Sequence, residues 1–103
     1  MMNFLRINSG KLELCEDNGS LIRTIGDEDA IDADINYNGS LVLVVTLSGQ
    51  VELRKESGSL IRTIGNGDAV GTKFNGNDIL ILTNRGKTEV RKENGELIKT
   101  IEY

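Results

Sequence analysis

The chain repeats itself, and no other property narrows its possible folds as much. Residues 10–26 read GKLELCEDNGSLIRTIG, residues 49–65 read GQVELRKESGSLIRTIG and residues 86–101 read GKTEVRKENGELIKTI, so the spacing is 39 residues and then 37. The match extends upstream, where Asn38-Gly39-Ser40-Leu41-Val42-Leu43-Val44-Val45-Thr46 aligns with Asn75-Gly76-Asn77-Asp78-Ile79-Leu80-Ile81-Leu82-Thr83 and Met2 to Asn8 fits the same slot. Further ahead, Asp29-Ala30-Ile31 with Ile35-Asn36 aligns with Asp68-Ala69-Val70 with Phe74-Asn75, and the two-residue difference falls between these points. A unit of this length is one supersecondary module that buries its apolar faces against its neighbours.

Each full repeat holds four short segments separated by Gly and Asn, and none has the i, i+3, i+4 apolar spacing of a helix. All four read as strands: a (Ala30 to Asn36; Ala69 to Asn75), b (Leu41 to Leu47; Ile79 to Asn84), c (Gln50 to Lys55; Lys87 to Lys92) and d (Leu60 to Ile64; Leu97 to Ile101). The order is then b-c-d, a-b-c-d, a-b-c-d, with the first unit short of its a strand. The b segments are apolar at consecutive positions, as in Leu41-Val42-Leu43-Val44-Val45, so both of their faces should be covered and the sheets should stack. The c segments alternate around Glu52 and are expected nearer a wet edge.

Strands c and d are joined by Asp17-Asn18-Gly19, Glu56-Ser57-Gly58 and Glu93-Asn94-Gly95, which suit three-residue hairpin loops with Gly in the left-handed position. That loop predicts Glu13 opposite Arg23, Glu52 opposite Arg62 and Glu89 opposite Lys99. A two-residue loop would place each acid opposite Thr24, Thr63 or Thr100, so charge pairing favours the first choice.

Repeats of about 40 residues with four antiparallel strands mark β-propeller blades. The segment order resembles the NHL-repeat family and its six-bladed relatives. In that comparison Ala69-Val70 starts the innermost strand, Ile79-Leu80-Ile81-Leu82 fills the second, Val51-Glu52-Leu53 the third, and Gly58 to Gly65 is similar to the closing strand. Thr46-Leu47-Ser48-Gly49 and Thr83-Asn84-Arg85-Gly86 stand where the family has its Asn-His-Leu element, so the resemblance implies architecture and no site. The expected fold is all-β: one repeat domain over residues 1–103, divided into blades at 1–26, 27–65 and 66–103. Because a ring takes roughly 4–8 blades, about three per chain should not close alone. Oligomerisation is expected to close the ring, a homodimer giving six blades and a trimer nine, outside the common range. The alternatives are a compact β-sandwich and a short solenoid.

Little in the chain suggests chemistry. Hydrophobic residues at 38% and charged residues at 27% suit a globular fold, no apolar run approaches the roughly 20 residues of a membrane span, and the N-terminal stretch has no export signal. There is no His, which removes the usual general base, and Cys15 is the sole cysteine; it takes the place of Arg54 and Arg91 and reads as a semi-exposed, unreactive thiol. Asp27, Glu28, Asp29, Asp32 and Asp34 put five acids in eight residues. Asp27, Asp29, Asp32 and Asp34 are the candidates for a hard-cation site, although their spacing does not match a calcium loop and a solvated acidic loop is the preferred reading. Alternating inward along an innermost strand, Asp32 and Asp34 would line a central channel. The formal charge of −4 disfavours nucleic acid, and the lack of Trp, with Tyr37 in a turn and Tyr103 at the terminus, disfavours sugar stacking.

The function expected from these residues is a non-enzymatic structural or protein-binding module that partners itself and needs no cofactor. The alternative is a small-ligand or lectin-like binder with pockets between blades, and a third reading is a calcium-dependent hydrolase remnant resembling six-bladed lactonases. A short self-associating chain suits a bacterial or phage genome, with cytoplasm or virion as its place.

Overall fold

The computed structural model describes residues 3–102, which form eleven strands and no helix. Met2 and Tyr103, named in the sequence reading, lie outside the described residues, as does Met1. The strands are β1 (Phe4–Asn8), β2 (Lys11–Cys15), β3 (Leu21–Ile25), β4 (Ala30–Ile35), β5 (Leu41–Thr46), β6 (Val51–Lys55), β7 (Leu60–Ile64), β8 (Ala69–Asn75), β9 (Asp78–Thr83), β10 (Lys87–Lys92) and β11 (Leu97–Glu102). They make three antiparallel sheets, β1-β2-β3, β4-β5-β6-β7 and β8-β9-β10-β11, in which every strand pairs with its sequence neighbours. The predicted order is therefore present, with a three-stranded first blade. The two-residue difference between repeats falls in the a-to-b connection: Asn75 pairs with Asp78 across Gly76-Asn77, whereas the amide of Asn36 reaches the carbonyl of Leu41 across the four residues 37–40.

The c-to-d loops are three residues long, as expected. The amide of Lys55 donates to Ser59 at 2.9 Å across Glu56-Ser57-Gly58, and Gly58 has φ 99°. The charge register derived from those loops is wrong. Just past each loop the d strand carries one unpaired residue: Cys15 lies opposite Leu21 but Leu14 opposite Arg23, and the same slip recurs at Leu60/Arg62 and Leu97/Lys99. This bulge moves the acids one place along. Glu13, Glu52 and Glu89 consequently sit opposite Thr24, Thr63 and Thr100. Two of the acids find their cation on their own strand, two residues on and therefore on the same face, with Arg54 Nε 2.9 Å from Glu52 and Arg91 Nε 2.9 Å from Glu89.

Each sheet presents one face to the following blade, termed here leading, and one to the preceding blade, termed trailing. The leading face of blade 1 and the trailing face of blade 2 enclose Leu12, Leu14, Ile25, Ala30, Val42 and Val44, with Leu5, Ala33 and Ile35 at the margin. Between blades 2 and 3 lie Leu43, Val45, Val51, Leu53, Ile64, Ala69, Ile79 and Ile81. Successive residues of β5 thus enter opposite cores, which is why Val42, Leu43, Val44 and Val45 are all buried. The c strands depart from the wet edge expected of them. Glu52 and Arg54 are on the trailing face against blade 1, their side chains only 16% and 13% exposed.

Candidate functional site

Blades are joined by backbone contacts as well as by apolar cores. The amides of Ala30 and Ala69 each donate to the carbonyl of a turn glycine in the preceding blade, Gly10 and Gly49, at 3.0 Å. On the outer strands, Arg62 Nη1 donates to the Asn94 carbonyl of the next c-to-d loop at 3.2 Å, and Arg23 approaches Ser57 in the same way at 3.5 Å. Asn66 Nδ2 crosses from the connection to donate to Glu89 Oε2 at 3.3 Å.

The acidic stretch divides into two parts. Asp27 and Glu28 are exposed and Asp29 is half-buried, with Lys11 Nζ 3.7 Å from Glu28. Asp32 and Asp34 reach across to the edge of β8: Asp32 Oδ2 accepts from the Thr72 amide at 3.1 Å and Asp34 Oδ2 from the Phe74 amide at 2.8 Å. They satisfy backbone donors that the inner edge of a sheet leaves without a strand partner. Among the described residues, no three His, Cys, Asp or Glu side chains come together as a metal site. Cys15, expected to be semi-exposed, is fully buried, so the sequence reading of its surroundings is also corrected.

The two faces with no blade against them among the described residues differ from the covered ones. The leading rows compare as Ile7-Leu12-Ile25 in blade 1, Val45-Val51-Ile64 in blade 2 and Leu82-Thr88-Ile101 in blade 3, each row running across three paired strands. Ile25 is 1% exposed and Ile64 5%, whereas Ile101 is 46% exposed. Leu80 and Leu82 lie half-open beside it, while Leu43 and Val45, their counterparts in blade 2, are fully buried.

The trailing rows compare as Arg6-Glu13-Thr24, Val44-Glu52-Thr63 and Ile81-Glu89-Thr100. Arg6 thus occupies a column that is aliphatic in the other two blades. Its Nε donates to Glu13 Oε1 at 2.8 Å, a bond that raises the guanidinium pKa above its ordinary value. Cys15 stands where Arg54 and Arg91 pair with the equivalent glutamates, so Arg6 supplies from the adjacent strand the cation that blade 1 lacks on β2. The sequence reading missed Arg6, Thr88 and Ile101; a column-by-column comparison of the repeats would have isolated Arg6 and Thr88, but not Ile101, whose column is isoleucine in all three repeats and which only its exposure sets apart.

No protein-family model matches the chain, and no curated protein does. Solved structures resemble it at the level of fold. BamB from Moraxella catarrhalis matches with a TM-score of 0.75 at 18% identity over 96% of this chain and 32% of its own. The Pan2 WD40 domain of Neurospora crassa gives 0.72 at 16% identity over 95% and 32%, and Saccharomyces cerevisiae Sqt1 gives 0.73 at 15% identity over 92% and 28%. The chain therefore has the β-propeller fold and spans about a third of the length of each of these structures. An affinity with NHL repeats in particular is not among these likenesses.

Proposed function

We propose that the chain is a non-enzymatic scaffold or protein-binding module whose first partner is a second copy of itself, joined head to tail so that blade 3 of each copy leads onto blade 1 of the other and six blades close a ring. The observation that carries this reading is the contrast between Ile101, 46% exposed, and its counterparts Ile25 and Ile64, 1% and 5% exposed under the next blade. An apolar sheet face of that kind is a contact surface.

The inner strands favour a second copy as its occupant. Asp32 and Asp34, which hold the inner strand of blade 3, have Gly71 and Lys73 as their counterparts one blade on, since Asp32 and Gly71 pair with Val45 and Leu82, and Asp34 and Lys73 with Leu43 and Leu80. Neither glycine nor an ammonium group accepts from a backbone amide. Blade 3 thus offers no side-chain acceptor at these two positions to a following inner strand, and the described residues of blade 1 form three strands that ask for none, so a second copy suits this face. A rigid ring without His, and with its single thiol buried, suits binding better than catalysis.

Light scattering tests the assembly. The expected mass is twice the 11.3 kDa of the chain, and Ile101→Asp should reduce it to that of one chain by placing a charge on the face to be covered. A wild-type mass of a single chain would overturn the reading.

A further inference from the structure

We infer that Arg6 and Thr88 form a matched polar pair across the junction between two copies and determine which faces join. This inference rests on the head-to-tail assembly above and adds to it the residues that make the junction unlike the two interfaces inside the chain.

Each open face carries one polar residue in an otherwise aliphatic column. On the trailing side the column is Arg6, Val44, Ile81, and on the leading side it is Leu12, Val51, Thr88. Between blades 2 and 3, Ile81 packs in the same core as Val51. If blade 3 meets the next copy's blade 1 as blade 2 meets blade 3, Arg6 enters at the place of Ile81 and Thr88 waits at the place of Val51. The two exceptions therefore enter one and the same core.

The chemistry is complementary. Arg6 uses Nε on Glu13 at 2.8 Å and keeps its Nη donors, while Thr88 offers a hydroxyl oxygen as acceptor in place of a methyl. Covering the guanidinium with valine in that position would leave those donors without a partner, and offering Thr88 a valine in place of Arg6 would bury an idle hydroxyl. A matched polar pair is tolerated, and each half-matched combination is penalised. The arrangement also protects the internal interfaces, since Arg6, standing where blades 2 and 3 carry Val44 and Ile81, is a poor fit to the aliphatic Leu12 and Val51 columns of the leading faces of blades 1 and 2.

Two variants of the full chain test the pairing. In the first, Arg6→Val with Cys15→Arg rebuilds on blade 1 the trailing set Val44, Glu52 and Arg54 of blade 2; in the second, Thr88→Val rebuilds the leading residue Val51. A dimer of either variant with itself has two mismatched junctions. A mixed dimer has one valine–valine junction and one native junction, both matched. Co-expressed and weighed by native mass spectrometry, mixed dimers should exceed like-with-like dimers by about tenfold over random pairing.

Random proportions would overturn the inference while leaving the ring intact, and so would failure of the co-expressed pair to assemble. If either variant fails to fold alone but assembles with the other, the pairing is supported. A wild-type chain that is monomeric by mass removes the assembly itself and is a separate failure.

Discussion

Gly10 and Gly49 set how closely successive sheets approach. Gly49 has φ 88°, and a Cβ there would lie 2.4 Å from the Gly67 carbonyl oxygen; at Gly10, with φ 82°, the equivalent contact with the Glu28 carbonyl would be 2.6 Å. The obstacle is backbone on the very segment that donates from Ala69 to Gly49 at 3.0 Å, so it has nowhere to retreat without losing that bond. Gly39 also has a positive φ, 76°, but open space where its Cβ would be. Gly39→Ala should therefore carry only the strain of a left-handed residue, about 1 kcal/mol. Gly49→Ala adds the clash and should cost about 3 kcal/mol, seen in urea unfolding as a midpoint well below that of Gly39→Ala. Equal midpoints would mean that the blades do not meet at this carbonyl.

At the scale of elements, Asp32 and Asp34 do for β8 what a neighbouring strand would do. Replacing both with Ala leaves the amides of Thr72 and Phe74 without the acceptors they have at 3.1 and 2.8 Å. The expected loss is about 2–4 kcal/mol, with a substantial part restored by the Asn pair, which keeps a neutral acceptor. Hydrogen exchange gives the sharper check: the Thr72 and Phe74 amides should lose protection in the Ala pair, while the Ala30 amide, bonded to Gly10, keeps its own. Unchanged exchange at Thr72 and Phe74 would contradict the role. The strands themselves were legible in the sequence because apolar runs, Gly turns and a repeated spacing are written locally. The register was not, since the bulged residue at Ile61 has the side chain of an ordinary strand member and nothing in Leu60-Ile61-Arg62 marks it as unpaired. The partners of Asp32 and Asp34 were illegible for another reason. They are backbone amides 40 residues away, and every residue but proline has one.

At the scale of the molecule, the described residues hold two interfaces between blades and leave the outer faces of blades 1 and 3 without a blade against them, so the proposed ring predicts that stability depends on whether those faces are joined. Linking two copies into one polypeptide tests that dependence. Between Ile64 and Ile79, the closing residue of one blade and an early b-strand residue of the next, 14 residues intervene, at positions 65–78; between Ile101 of one copy and Phe4 of the following copy there would be five, at 102, 103 and 1–3. A flexible insert of about ten Gly and Ser residues makes up the difference and spans the place of the absent inner strand. Joined in this way, the first junction becomes intramolecular, with an effective concentration near the millimolar range, and the second is brought into register by the ring. The separate chain should melt at a temperature that rises with its concentration, as expected when association and folding are linked. The tandem chain should melt higher than the separate chain at micromolar concentration, independently of dilution, and with the mass of one tandem molecule. Tandem chains that instead associate further through their ends would show that the curvature of the stacked blades does not bring the sixth blade back to the first.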